Sequence, residues 1–410
     1  MSTVLRPEPS SGEYRIPQAR PAPGTEPQVP AGRRRLDHVD LLRGLVMVIM
    51  VLDHARVYFT EVRFDPTDLT RTDLALFATR WITHYCAPVF VFLAGASAWI
   101  AGTRRTHGQL ARFLLSRGLW LILLEVTVIS FGWYFSTRWT MGARAQVIWA
   151  IGASMVVLAG LIHLPRAAVA AFGLALVVGH NLLDGVAPAA FGAFAPLWHV
   201  LHVPGPLGIL PVAVRYPLVP WVGVMALGYA AGPAVFSQDA GAPRRLAWAG
   251  ALIVLGFVVL RTLNDYGDPS PRFDDGSPAL LAMSFLNVTK YPPSLLFLLM
   301  TLGPAAILCA SADRVPEAIK RPLIVFGRAP FAFYVAHLYL IHTLAVAFGV
   351  VQGFDAREFL TYSFFFPKGY GVGLPGVYVV WLLVVATLYP LCKWVSAVKV
   401  RHQDWWLSYL

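Results

Sequence analysis

Runs of about twenty apolar residues recur along the chain from residue 39 onward, each the length a helix needs to cross a ~30 Å hydrocarbon core. Inside lipid the backbone has no water to bond, so such runs must fold as helices. The chain is 57% hydrophobic and 13% charged, against roughly 25% charged in soluble domains. Its principal solvent is therefore lipid. The runs predict spans near 39–60, 83–102, 117–136, 145–163, 166–183, 216–236, 246–262, 292–311, 328–350 and 374–396. The expected fold is all-α and integral to the membrane, a bundle of about ten transmembrane helices. It fills residues 36–398, between a Pro/Arg-rich tail over 1–35, expected to be disordered, and a C-terminal tail over 399–410.

A net charge of +11 would suit a polyanion, but no nucleic-acid-binding signature accompanies it and no nucleic acid is expected as a partner. The bases gather instead in "GRRRLDH", "TRRTHGQLARFLLSR", "DRVPEAIKRP" and "KVRHQDWWLSYL", all on one side of the predicted topology. The positive-inside rule puts that side, with both termini, in the cytoplasm. With no signal-peptide h-region, this matches a multi-pass protein of an inner (cytoplasmic) membrane. The acidic "NDYGDPSPRFDDG" falls on the opposite side, as does 184–214, apolar but broken by Pro and Gly, which is expected to form a re-entrant or interfacial lid. Gly228 and Gly232 make a GxxxG, which predicts close helix contact. Trp81, Trp221, Trp405 and Trp406 read as aromatic-belt residues. Cys86, Cys309 and Cys392 lie on separate apolar runs without metal-ligand spacing, so no metal is expected. Nothing specifies an oligomer.

Ionisable residues inside such helices are costly and mark function by default. In "VDLLRGLVMVIMVLDHARVYF", residues 39–59, Arg43 and His54 fall ~20° apart on the helical wheel and ~16 Å apart along the axis, with Asp40 ~40° from His54. One stripe thus carries an acid–base pair at the cytoplasmic mouth and an imidazole deeper in, expected to face a single chamber. Asp53 points ~100° away and is placed to pair with Arg56 at i+3. Glu125 sits midway through "LWLILLEVTVISFGW" with no local partner, either functional or paired with a distant arginine. Tyr334, His337 and His342 share the ninth run, and at least one of them is expected to line the cavity. Arg328 mirrors Arg43 at the cytoplasmic end. Lys290 and Tyr291 open the eighth run at the outer face, as acceptor ligands or interfacial anchors.

"RRRLDHVDLLRGLVMVIMVLDH" resembles the first helix of the transmembrane acyltransferases, including acyltransferase family 3. Together with "FATRWITHYCAPVFVFLAG", "YPLVPWVGVMALGY", "KYPPSLLFLLMTLGP", "FGRAPFAFYVAHLYLIH" and "KVRHQDWWLSYL", it is similar to a bacterial branch of the heparan-alpha-glucosaminide N-acetyltransferase-like membrane proteins. The resemblance covers nearly the whole chain from residue 36 and implies a membrane-embedded site reached by acyl-CoA from the cytoplasm. The family's histidine followed by Trp-Asn-Gly ahead of the second span is absent from "DPTDLTRTDLALFATRWITH", and the alignment of "FVFLAG" puts His84 where the family usually has aspartate. The role of that missing histidine passes to His54, which matches the family 3 position, or to His84.

Acyl transfer needs a base near neutrality, for which histidine is the usual choice, and cationic groups for the CoA phosphates, which an arginine fork binds bidentately. The expected activity is transfer of an acyl group, acetyl by preference, from acyl-CoA to a carbohydrate or other cell-envelope acceptor. Its catalytic candidates are His54, His84 and Glu125. Asp40, Arg43 and Arg328 would hold the cofactor; Asp53, Lys290, Tyr291, Tyr334, His337 and His342 would line the cavity. The alternative is a transporter or flippase that uses the same buried charges as a proton or substrate path. The absence of evident repeated halves weighs against it.

Overall fold

The computed structural model describes residues 37–136, 143–208, 210–273 and 275–401. The expected N-terminal tail and residues 402–410, with Trp405 and Trp406, lie outside them.

Helix α1 (Asp37–Phe59) has Asp37 and Asp40 in its first turn and Arg56 in its last, signs that complement the helix dipole. Asp73 caps α2 (Leu74–Ile82) by accepting from the Leu76 N–H. Through one 3-10 turn α2 continues into α3 (Cys86–Gly102), forming a rod over 74–102. The cap explains why this helix begins well before the apolar run. A Thr106–Gln109 capping box opens α4 (His107–Leu124), which passes through a π turn, Glu125–Ile129, into α5 (Ser130–Tyr134). Next come β1 (Ala143–Ala145), α6 (Val147–Leu161) and α7 (Arg166–Gly179).

Segment 184–214 folds as a 3-10 stretch Pro188–Phe194, α8 (Ala195–Leu201), β2 (Gly205–Pro206) and β3 (Val212–Val214). Strand β3 runs parallel to β1, with Ala143 opposite Val212, and antiparallel to β2. Helices α9 (Leu218–Val235), α10 (Ala242–Leu263), α11 (Pro278–Leu286), α12 (Leu295–Ala310), α13 (Glu317–Gly327), α14 (Pro330–Val351) and α15 (Leu374–Arg401) complete the chain.

Among the described residues seven helical stretches are long and apolar enough to cross a membrane, and the chain is a multi-pass integral membrane protein. Of the other expected spans, α6 and α12 are shorter, and α1 carries Asp37, Asp40, Arg43, Asp53 and Arg56. Large apolar side chains such as Leu252, Leu255, Leu263, Leu382 and Leu383 face outward, an arrangement that water would penalise and lipid does not.

Two helix crossings lock the site's framework. A Cβ on Gly44 would come within 1.8 Å of Leu323 O, and one on Gly327 within 1.9 Å of Asp40 O. Helices α1 and α13 therefore touch backbone to backbone, which only glycine permits there. The GxxxG is used the same way: a Cβ on Gly228 would strike Phe92 O at 2.1 Å, and Gly232 faces the Trp99 ring. Trp221 corrects its belt assignment. It is fully buried and stacked on Tyr216.

Candidate functional site

The charged stripe of α1 faces the interior, but onto two cavities. One, of about 360 Å³, is lined by Asp53 and His54 of α1, Arg80 of α2, Trp133, Lys290, Tyr291 and Tyr334. The other, of about 280 Å³, is lined by Arg43, Ser97 and Arg117 among apolar residues of α3, α4 and α6. Met50, Phe90, Val147 and Tyr334 line both, so the stripe faces two adjoining spaces that share a wall of four side chains. Met50 falls within ~20° of Arg43 on the wheel. The divider was therefore written on the same stripe as the two polar residues it separates.

The His54 cavity is built for polar chemistry. His54 Nδ1 lies 2.7 Å from Nε2 of His337 on α14, whose own Nδ1 lies 3.0 Å from the Phe333 carbonyl. A carbonyl only accepts, so His337 donates from Nδ1 and, in the neutral pair, accepts at Nε2. His54 must then carry its proton on Nδ1, which leaves Nε2 with a lone pair. His54 lines the cavity, and this lone pair is what the pair offers to a ligand there. Trp133 meets the His54 ring edge-on at 4.9 Å, and Tyr334 packs edge-on to His337.

Asp53 does not orient His54. One carboxylate oxygen accepts from Arg56 at 2.8 Å and the other from Arg80 at 2.7 Å, in the i+3 pairing expected plus a second cation. Taking one partner from such a buried cluster costs about 3–5 kcal/mol. Six cations line this cavity, Arg56, Arg63, Arg80, Arg144, Arg215 and Lys290, against two carboxylates, Asp53 and Asp65. Asp65, in the loop after α1, sits below the ordinary carboxylate range: burial opposes its ionisation, but the Thr67 N–H and hydroxyl, with Arg80 and Arg56, outweigh it. Tyr291, in the loop before α12, has its phenol brought down to about 7, because Lys290, Arg80 and Arg215 outweigh the burial that would raise it. Arg215 lies over the Tyr291 ring at 4.0 Å, and Arg144 over Tyr362 at 4.1 Å.

At the Arg43 cavity the charges are largely paired among themselves. Arg43 donates to Asp40 (3.0 Å), to Gly327 O (3.2 Å) and to Ser97 Oγ (3.5 Å). Arg328 reaches Asp37 at 3.0 Å and Asp40 at 3.4 Å. Further positive charge comes from Arg117 on the cavity wall and from Lys399, which donates to Arg328 O.

The remaining sequence candidates lie elsewhere. His84 is buried against Phe297, off both cavities. Glu125 is fully buried and lines neither. It accepts from the Trp149 N–H at 2.9 Å, and from those of Ile148 and Gln146. Its Oε2 thus caps the start of α6, while its Oε1 is buried with no partner among the described residues. His342 braces α14 through Gly132 O (2.9 Å) and Phe359 O (2.8 Å) and is stacked on Phe135. Sequence reasoning missed Arg80, Arg144, Arg215 and Trp133. Arg80 is the only one with a usable signal, an arginine one turn ahead of His84 in a span-flanking helix.

Nothing matches the chain among curated proteins. The model of the family described as heparan-alpha-glucosaminide N-acetyltransferase, catalytic, matches residues 35–262, more than half of the 410-residue chain and the part that carries Arg43, Arg80 and His54. The chain belongs to this family of membrane N-acetyltransferase catalytic domains.

Proposed function

We propose that the chain moves an acyl group, acetyl by preference, from cytoplasmic acyl-CoA through the four-residue wall to an acceptor held in the His54 cavity. In this reading ten helices span an inner membrane with both termini in the cytoplasm, so the Arg43 cavity opens inward and the His54 cavity faces the cell envelope. The observation that carries it is the wall itself: an apolar space and a histidine-bearing polar space share Met50, Phe90, Val147 and Tyr334.

The apolar Arg43 cavity suits a pantetheine arm, with Phe90, Leu93, Ala94, Ala98 and Ile151 along its sides. Arg43, Arg117 and Lys399 serve the CoA phosphates. Asp40 offsets part of Arg43, so the cluster acts together rather than Arg43 alone. With the thioester carbonyl presented between the wall side chains, the acceptor's hydroxyl or amine attacks it from the outer space as His54 Nε2 takes the proton. The tetrahedral intermediate collapses, the C–S bond breaks, and the CoA thiolate receives that proton. His337 keeps the lone pair of His54 aimed at the acceptor throughout. The excess of cations over carboxylates favours an acceptor bearing negative charge, such as an acidic or phosphorylated glycan.

The test is thermal stability and CoA release on the detergent-purified chain. Acetyl-CoA raises the Tm of the wild type, and acceptor addition releases free thiol. His54→Ala keeps the Tm rise and loses release; Arg43→Ala loses most of the rise. Equal stabilisation of all three proteins overturns the Arg43 assignment, and thiol release that survives His54→Ala overturns that of His54. Two spaces separated by a thin wall also suit a transporter, and substrate uptake into proteoliposomes without thiol release would select that reading.

A further inference from the structure

Away from both cavities, the end of α7 and the 184–214 segment meet at a second histidine cluster. His180 opens the 3-10 turn after α7, Asp184 follows one turn later, and His202 caps α8. Among the described residues these three form the one group of histidine, cysteine or acidic side chains spaced to share a metal ion, with their ligand atoms all within 4.8 Å of one another. A tetrahedral site with bonds of ~2.1 Å needs ligand atoms about 3.4 Å apart, so a small rotamer adjustment closes the set. His202 Nε2 is already 3.1 Å from Asp184 Oδ1.

A second observation points to a ligand. His180 is 2% exposed, and neither of its ring nitrogens has a hydrogen-bond partner; His202 is 0% exposed, and its Nδ1 has none. A neutral imidazole always carries one N–H and one lone pair, and buried groups of this kind are almost always satisfied. Hydrogen bonding inside the cluster leaves both His180 nitrogens orphaned; an ion bound at its lone pair would satisfy one of them. Asp184 is also prepared as a ligand is. Its Oδ2 accepts from Asn181 Nδ2 at 2.7 Å, and Asn181 Oδ1 accepts from the Leu295 N–H at 2.9 Å, the outer-shell support that orients ligating carboxylates.

We propose that His180, Asp184 and His202 bind one divalent transition ion of the Zn²⁺ class. Two imidazoles and a carboxylate suit such an ion, with the fourth position left to water. The site staples the 184–214 segment to α7. Trp198 packs beside it, held by its Nε1–H to Val186 O at 2.9 Å and stacked on Phe191. The same segment ends in β3, which pairs with the strand bearing Arg144 and leads into Arg215, so the ion fixes one wall of the His54 cavity from a distance. Cysteine spacing carries no trace of this site, whose two histidines are joined across 22 residues.

The experiment uses the full-length protein in detergent, with any affinity tag removed and metal stripped by a chelator. Titration with Co²⁺ gives one equivalent per chain, with the visible absorption of a four- or five-coordinate ion, and Zn²⁺ displaces it and raises the Tm. His180→Ala and His202→Ala lose the equivalent, Asn181→Ala weakens it by about 10–100-fold, and His54→Ala retains it. If the alanine variants fail to fold, Asp184→Asn and the wild-type titration still decide. A wild type that takes up no stoichiometric Co²⁺, or one whose uptake survives His180→Ala and His202→Ala, overturns the proposal. Loss of uptake in His54→Ala alone would assign the ion to the His54–His337 pair and overturn it as well.

Discussion

The two cavities along α1 are near neighbours with opposite chemistry. The one at His54 is bounded by arginines, a lysine and tyrosines, and its cations exceed its carboxylates. The one at Arg43 is mostly alanine, leucine, isoleucine and phenylalanine, with Arg43 and Arg117 as its charged side chains and Arg43 paired with Asp40. One helix serves both because its polar residues are spread along a single face, with apolar Met50 between them. The difference teaches that the polar residues of α1 do separate jobs. The Arg43 group pairs largely within itself, while His54 is held in a defined tautomer beside a charged space.

The largest expected effect breaks the outer half alone. His337→Phe removes the acceptor for the His54 Nδ1 proton, so the wrong tautomer becomes populated. In this reading kcat falls by about 10²–10⁴-fold, while the acetyl-CoA-dependent Tm rise is unchanged; a matching loss of acetyl-CoA stabilisation would merge the two cavities into one functional unit. Next is the inner half. Ala98→Trp on α3 fills the Arg43 cavity, which raises KM for acetyl-CoA by about tenfold or more at a stability cost of ~1–3 kcal/mol. The affinity of the outer cavity for acceptor, read by isothermal titration, stays as it was.

A smaller effect is expected at the rim. Arg215→Gln raises KM several-fold for an acidic acceptor but not for its neutral analogue, and added salt reproduces the loss in the wild type. The smallest is a pH effect. Above neutrality Tyr291 carries a negative charge that cancels part of the positive field, since its phenol is brought down to about 7. KM for an acidic acceptor therefore rises as pH passes upward through neutrality. Tyr291→Phe flattens that rise by about twofold to threefold, and a pH profile identical to that of the wild type removes Tyr291 from the recognition.

How much of this was legible in the sequence follows from how local each feature is. The stripe on α1 and the Asp53–Arg56 pair follow from helical periodicity, which acts within a few turns. The helix wheel gives direction but not what stands between two residues, so the wall that Met50 and Phe90 help to form was not readable. The His54–His337 contact joins positions 283 apart in the chain; each was a candidate alone, and only the packing pairs them. Arg144 and Arg215 were hidden because strands of three residues are too short to show alternation. The contact that Glu125 makes with the start of α6 was not readable, because backbone N–H groups leave no mark in residue types. Gly228 and Gly232 were readable because small residues one turn apart have few uses other than close approach.

The wall between the cavities has a consequence for the membrane as an insulator. Met50, Phe90, Val147 and Tyr334 put no charged group in the gap, and an ion stripped of water would meet a steep barrier there. A thioester carbonyl presented between these side chains would meet none of that resistance, since it carries no charge. In the proposed reading, chemistry in one cavity can thus draw on a donor in the other while the voltage across the bilayer stays intact.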